Sequence, residues 1–234
     1  MDVAPIVRVA NLIGEAGRIR MLTELLDGGG HSASGLATAA GVSPQTASSH
    51  LAKLLEGGLI VSARKGRQRI FRLKDRDVAA AIEALGALAQ PPRNQAVPEI
   101  RFARTCYDHL AGVLAIAVRD ELLRSGAVRE QAGGGFIVTP VGKRVLSEFD
   151  IDADALEKLR RGFANKCLDW TERHHHIGGA VGAALLDGFL RRKWLVRIRG
   201  TRALSVANAG DRGFEQVFNI RCARLRAQAT LPSK

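Results

Sequence analysis

The chain has 234 residues, with 35 Lys and Arg against 23 Asp and Glu and a formal net charge of +12. That excess favours a polyanionic partner, and the length allows two compact units, each able to bury a core. No apolar run is long enough to cross a bilayer, MDVAPIVRVANLIG is too short and too mixed for an export signal, and three cysteines do not make a disulfide framework. A cytoplasmic protein without a membrane partner is expected.

In chain order, Pro5–Ile13 and Glu15–Leu26 read as two helices broken near Gly14. Ile19, Leu22, Leu25 and Leu26 give the second a buried face, and Gly28–Gly30 is a loop. The most specific stretch follows, SASGLATAAGVSPQTASSHLAKLLEGGLIVSARKGRQRIFRL (Ser32–Leu73). Ser34–Ala40 predicts a short helix and Gly41 a tight turn, with Val42 filling the angle between helices. Ser43 suits an N-cap and Pro44 a first helical position. A second helix runs to about Glu56. Ala47, Leu51, Leu54 and Leu55 form its buried stripe. Thr46, Ser49, His50 and Lys53 form the opposite stripe, with Gln45 at its start and Ser48 beside it. Small hydroxyls, an amide and a lysine are suited to base edges and phosphates.

Gly57-Gly58 ends that helix. Leu59–Arg64 alternates, placing Leu59, Val61 and Ala63 on one side. Lys65-Gly66 is the expected hairpin tip, and Gln68–Leu73 returns with Phe71 and Leu73 inward. Arg64, Lys65, Arg67 and Arg69 cluster near the tip, where they suit a phosphate backbone. The plain alternative is an ordinary helix pair with a solvated basic hairpin.

VSPQTASSHLAKLLEGGLI followed by RKGRQRIFRL resembles winged-helix repressors of the ArsR/SmtB family, from about Val9 to Leu88. The resemblance implies a homodimer that binds double-stranded operator DNA and releases it on binding an inducer. It also implies that the first helix and the helix after the wing make the dimer interface. The family's frequent thiolate box would fall on SASGLATAA, which has no cysteine and only His31 at its flank.

Asp75–Leu88 is an alanine-rich helix with Val78, Ile82, Leu85 and Leu88 as its seam. QPPRNQAVP reads as a linker. The expected division is 1–89 for DNA binding and dimerisation, 90–98 as linker, 99–228 as an effector-binding or dimerisation domain, and 229–234 as a tail. The fold class is mainly α with short β-wings (α+β). The C-terminal domain is read as helical, built from two degenerate wing-like repeats. HLAGVLAIAVRDELLRSGAV resembles HIGGAVGAALLDGFLRRKWLV, and each is followed by a strand pair and a helix. Asp152–Glu172 is expected to be a connecting helix; a chance match of two amphipathic helices is the competing view.

Candidate effector residues are Arg104, Cys106, Tyr107, His109, Cys167, Trp170, His174 and His176. Cys106 and His109 are three apart on an expected helix and so share a face. The set suits either a soft metal ion or thiol switch, or a small organic effector held by aromatic rings, Trp194 included, and by Arg104 or Arg173. The alternative is that these residues are only core, capping or interface groups; no cofactor is required by the sequence. No reaction centre is recognisable. Gly133–Gly135 is a bare hairpin connection, and Asp150, Asp152 and Asp154 sit ahead of a helix, where they favour its positive end. The expectation is a sequence-specific homodimeric repressor released by an inducer. The rivals are a nucleoid-type DNA organiser, a metal- or thiol-responsive sensor, and an enzyme using the Cys/His cluster.

Overall fold

The computed structural model describes residues 2–89, 97–132 and 134–230. Residues 90–96 of the expected linker, 231–234 of the expected tail, and Gly133 lie outside the described residues. The chain forms two compact units, Met1–Ile82 and Glu83–Lys234. The division falls inside the helix after the wing.

The first unit contains α1 (Ala4–Ile13), α2 (Ala16–Glu24), a 3-10 turn (Leu25–Asp27), β1 (His31–Ser32), α3 (Ala33–Ala40) and α4 (Pro44–Glu56). The wing strands β2 (Ile60–Lys65) and β3 (Gln68–Leu73) and the start of α5 (Arg76–Leu88) complete it. Each boundary has a local cause. The Glu15 carboxylate accepts from the Gly17 and Arg18 amides and starts α2. Ser32 and Ser43 cap α3 and α4 by accepting from Gly35 and Thr46. α4 ends in a Schellman turn. Gly58 takes φ 69°, its N–H reaches Leu55 O at 3.0 Å, and Leu59 N–H reaches Leu54 O at 3.0 Å.

That turn corrects the expected strand pattern. Leu59 belongs to the helix end, so the strand begins at Ile60, which is buried opposite Leu73, and Val61 faces outward. The sheet order is β1-β3-β2, antiparallel throughout. Met21, Leu22, Leu25, Leu36, Ala40, Ala47, Leu51, Leu54, Ile60, Phe71 and Leu73 form the unit's buried core. On α5, Ile82 is buried, whereas Leu85 and Leu88 of the apolar seam are exposed.

The second unit starts with the end of α5 and α6 (Pro98–Phe102). It continues through β4 (Arg104–Cys106), β5 (His109–Ala111), α7 (Val113–Arg124), β6 (Val128–Glu130), β7 (Phe136–Val138) and α8 (Pro140–Ser147). After α9 (Ala153–Glu157) come β8 (Lys166–Leu168), β9 (His175–Ile177), α10 (Gly179–Arg191), β10 (Leu195–Arg197), β11 (Leu204–Val206), α11 (Asn208–Phe218) and α12 (Cys222–Thr230). The order hairpin, helix, hairpin, helix thus occurs twice. Phe149, Phe189, Trp194, Phe214 and Phe218 pack ring to ring in the core, with neighbouring centroids 5.0–6.1 Å apart. Trp194 is therefore a core residue rather than a pocket ring.

Two helix expectations are overturned. Residues 106–109 are not helical: Cys106 and His109 face each other across a two-residue turn in which Tyr107 takes φ 58°. The expected Asp152–Glu172 helix stops at Glu157. Beyond it, the Asp169 side chain accepts from the amides of Thr171 and Glu172, a local alternative to helical bonding.

Gly112 and Gly179 mark where each of these hairpins turns into its helix. They take φ 92° and 76°, and a Cβ would lie 2.6 Å from the backbone oxygens of Arg101 and Gly162 respectively. Gly112→Ala is expected to lower the stability of the second unit by at least ~1–2 kcal/mol from the positive φ alone. Urea unfolding followed by tryptophan fluorescence reads it, since both tryptophans lie in that unit.

Candidate nucleic-acid interface and candidate metal centre

α4 is anchored from behind and open in front. Ala47, Leu51 and Leu54 are fully or almost fully buried, whereas Gln45, Thr46, Ser48, Ser49 and Lys53 are exposed. Two of the exposed hydroxyls also serve the helix: Thr46 Oγ1 lies 2.9 Å from Ser43 Oγ, and Ser48 Oγ donates to Pro44 O at 2.9 Å. Gln45, Ser49 and Lys53 have side chains directed to solvent.

His50 departs from the expected stripe. Its side chain is 12% exposed, with Nε2 3.2 Å from Glu15 Oε2 at the start of α2. The same carboxylate caps α2, and those amide bonds hold its pKa below the usual carboxylate value. His50 therefore fastens α4 to α2 and is not presented with the hydroxyls.

On the wing, Arg64, Lys65, Arg67 and Arg69 are all exposed. Arg64 and Arg69 are direct cross-strand partners. Like charges so placed repel, and a polyanion relieves the repulsion. Arg69 is steadied by a 2.8 Å bond to Ser62 Oγ and by lying over the Phe71 ring. Gly66, with φ 60°, makes the tight tip.

In the second unit the fold brings together four of the eight candidate effector residues. Cys106, His109, Cys167 and His176 offer donor atoms that all lie within 4.8 Å of one another. Cys106 Sγ is 3.8 Å from Cys167 Sγ, and the two Nε2 atoms of His109 and His176 are 3.1 Å apart. The hydrogen bond with Cys167 and burial push the Cys106 thiol up to about 12.

The other four stand apart from this group. His174 is exposed, and Tyr107 holds the turn. Arg104 is fully buried, paired with Asp169 at 3.0 Å, and lies over the Trp170 ring. It is committed to the core and is not placed to receive an acidic effector.

Asp169 is the organising residue that sequence reasoning missed. One oxygen accepts from Thr171 Oγ1 and from the Thr171 and Glu172 amides. The other accepts from Gly112 N–H at 2.7 Å, faces Arg104, and lies 3.4 Å from His176 Nδ1. Burial opposes its charge, but Arg104, His176 and Thr171 outweigh burial and hold it far below the usual carboxylate range. Asp108 plays the matching part at His109, 3.1 Å from its Nδ1. A readable signal was present: Cys-x-Asp occurs at 106–108 and again at 167–169.

A buried-faced helix with an open polar side, followed by a basic two-stranded wing, defines a winged helix-turn-helix DNA-binding unit. A family model described as a helix-turn-helix domain matches residues 17–63. Over 222 residues the chain is 39% identical to the HTH-type transcriptional regulator YdfF of Bacillus subtilis (strain 168), covering 92% of this chain and 98% of that one. It is 31% identical over 128 residues to the HTH-type transcriptional regulator Rv0324 of Mycobacterium tuberculosis (strain ATCC 25618 / H37Rv), covering 55% of this chain and 52% of that one. Among solved structures, the homodimeric winged helix-turn-helix DNA-binding domain (fragment 1–100) of Mb0332 from Mycobacterium bovis shares 29% identity. It covers 37% of this chain and 80% of that one, with a TM-score of 0.35. The chain belongs to the HTH-type transcriptional regulators.

Removing a partner from the buried Arg104–Asp169 pair leaves an uncompensated charge. Asp169→Ala is expected to destabilise the second unit by about 3–5 kcal/mol. Chemical denaturation monitored by near-ultraviolet circular dichroism checks this; a loss below about 1 kcal/mol would show that the carboxylate is not needed to balance Arg104.

Proposed function

We propose that the chain is a sequence-specific repressor that acts as a homodimer and releases its operator on binding an effector. The observation that carries the DNA-reading part is the exposed Gln45, Thr46, Ser49 and Lys53 stripe, backed by buried Ala47, Leu51 and Leu54 and followed directly by the four cations of the wing. In this reading α4 enters the major groove. Gln45, Thr46 and Ser49 meet base edges, Ser48 and Lys53 meet phosphates, and the wing follows the adjacent backbone.

Dimerisation is supported by apolar side chains that stand exposed on α1 and on α5. Val3, Ile6 and Val7 of the α1 region are 52–64% exposed, and Leu88 of α5 is 75% exposed. Surface of this kind usually marks a contact with another chain. A two-fold dimer would place two recognition helices in successive major grooves, ~34 Å apart. An inducer would act by favouring a dimer geometry that cannot span both half-sites.

Selection of bound sequences from a random pool, followed by footprinting, is expected to return a short inverted repeat. Uniform coating without a preferred sequence would instead identify a DNA organiser. Lys53→Ala is expected to weaken binding to all sequences alike and to reduce the slope of log affinity against log salt by about 0.9. Gln45→Ala and Ser49→Ala are expected to cost about 1–3 kcal/mol of discrimination at individual base pairs. Wild-type operator binding by the Lys53 variant would remove α4 from the interface.

The apolar surface has its own test. The double variant Ile6→Glu, Val7→Glu is expected to sediment as a monomer at concentrations where the parent is a dimer, and to lose footprint protection over one half-site. A variant that remains dimeric would place the interface elsewhere.

A further inference from the structure

The cysteine-histidine cluster is built from two hairpins that carry one motif. In the first, Cys106 is followed by Tyr107, Asp108 and His109, then Leu110, Ala111 and Gly112. In the second, Cys167 is followed by Leu168 and Asp169, and after the turn His176 precedes Ile177, Gly178 and Gly179. In both, the cysteine is the cross-strand partner of the histidine, and the third residue after the histidine is a glycine of positive φ. Each hairpin thus supplies one thiol, one imidazole and one carboxylate to a common point.

The carboxylates decide what that point presents. A carboxylate beside one ring nitrogen fixes the orientation of an imidazole and turns the other nitrogen away from it. Asp108 faces Nδ1 of His109 and Asp169 faces Nδ1 of His176. Both Nε2 atoms are thereby aimed at each other across 3.1 Å. Two buried ring nitrogens so placed call for a proton or a metal ion between them.

Two of the spacings match a metal ion. A tetrahedral zinc ion with Zn–S about 2.3 Å and Zn–N about 2.0–2.1 Å requires sulfurs about 3.8 Å apart and nitrogens about 3.3–3.4 Å apart. The sulfurs here are 3.8 Å apart and the nitrogens 3.1 Å apart. A shared proton would serve the two nitrogens and a weak S–H···S bond the two sulfurs, but neither explains why all four donor atoms lie within 4.8 Å of one another. A disulfide needs sulfurs about 2.05 Å apart. Two thiolates and two imidazoles in a tetrahedron select zinc among common divalent ions.

We propose that Cys106, His109, Cys167 and His176 bind one zinc ion per chain, with Asp108 and Asp169 orienting the two histidines from behind. The thiols release their protons to solvent as the ion enters. Four protein ligands close the coordination sphere, as in structural rather than hydrolytic zinc sites. The ion clasps hairpin β4–β5 to hairpin β8–β9. This assignment is independent of the operator-binding reading.

The test uses the full chain, stripped with a chelator and then titrated with Co2+ and Zn2+. One equivalent of Co2+ is expected to give the intense visible bands of a tetrahedral ion together with thiolate-to-cobalt charge transfer, both lost on adding Zn2+. In the wild-type protein, Zn2+ is expected to protect Cys106 and Cys167 from alkylation and to leave Cys222 unchanged, with peptide mapping as the readout. Asp108→Asn keeps all four ligands and is expected to weaken zinc by about 10–100-fold with the cobalt spectrum retained. Cys106→Ser with Cys167→Ser is expected to lose the charge transfer completely. A folded wild-type chain that takes up no stoichiometric metal would overturn the proposal. So would a cobalt spectrum without thiolate bands, or binding that survives loss of both cysteines.

Discussion

The second unit depends on one buried carboxylate. Asp169 stands at the end of β8, yet it bonds Gly112 N–H, fifty-seven positions earlier in the chain, and faces Arg104 on β4. It therefore ties the turn that ends one hairpin to the strand that begins the other. A buried ionised group survives only when its charge is matched and its lone pairs are filled. Arg104 supplies the charge. Thr171, Glu172 and Gly112 supply donors, and the unoccupied direction is turned to His176. Replacing this set with apolar groups would remove the bonds that hold the turn between β8 and β9.

The packing around that carboxylate is reciprocal. Helix α7 follows β5 but packs on β9, and α10 follows β9 but packs on β5. Each helix thus covers the other copy's hairpin, so neither half could bury its apolar face alone. The small residues make this approach feasible. A Cβ on Gly182 would lie 2.2 Å from Ile177 O and 3.2 Å from the His109 Cβ, so α10 can lie close to both histidine strands only with glycine there. The same closeness brings the two imidazoles nose to nose.

Local signals made the first unit readable. Ser43, Pro44 and the glycines after each helix act within a few residues of themselves, so the start of α4 was legible to the residue and its end closely. Leu59 was misplaced on the strand because its burial comes from the Schellman turn, which an alternating pattern cannot express. His50 was misread for a related reason. Its helical position borders the polar stripe, and only the distant Glu15 draws it inward. In the second unit the strands β4, β5, β8 and β9 are three residues each, too short to show a period of two. Cys106 and His109 looked helical because a spacing of three brings side chains together on a helix. It does the same across a two-residue hairpin turn, which is the geometry present. The partnership with Cys167 and His176 is a matter of tertiary packing. The repeated Cys-x-Asp was its one trace in the sequence.

The two ways the second unit is held together differ in what they require. The ring cluster of Phe149, Phe189, Trp194, Phe214 and Phe218 is fully internal and gains its stability from apolar burial and edge-to-face contact, independent of any ion. The hairpin pair has no such core of its own. Leu110, Ala111 and Ile177 join the apolar core, but the other buried side chains of the two hairpins, Arg104, Thr105, Cys106, His109 and His176, are mostly polar. Ordering polar side chains in an apolar surrounding is unfavourable unless each finds a partner. A ligated ion would satisfy the four donors at once, and its binding energy would act on the hairpins while the ring cluster kept the helices in place. On this arrangement loss of the ion loosens the two hairpins against each other and leaves the rest of the unit folded. That is the graded response expected of a clasp, in contrast to the collapse seen in small domains whose only core is their metal.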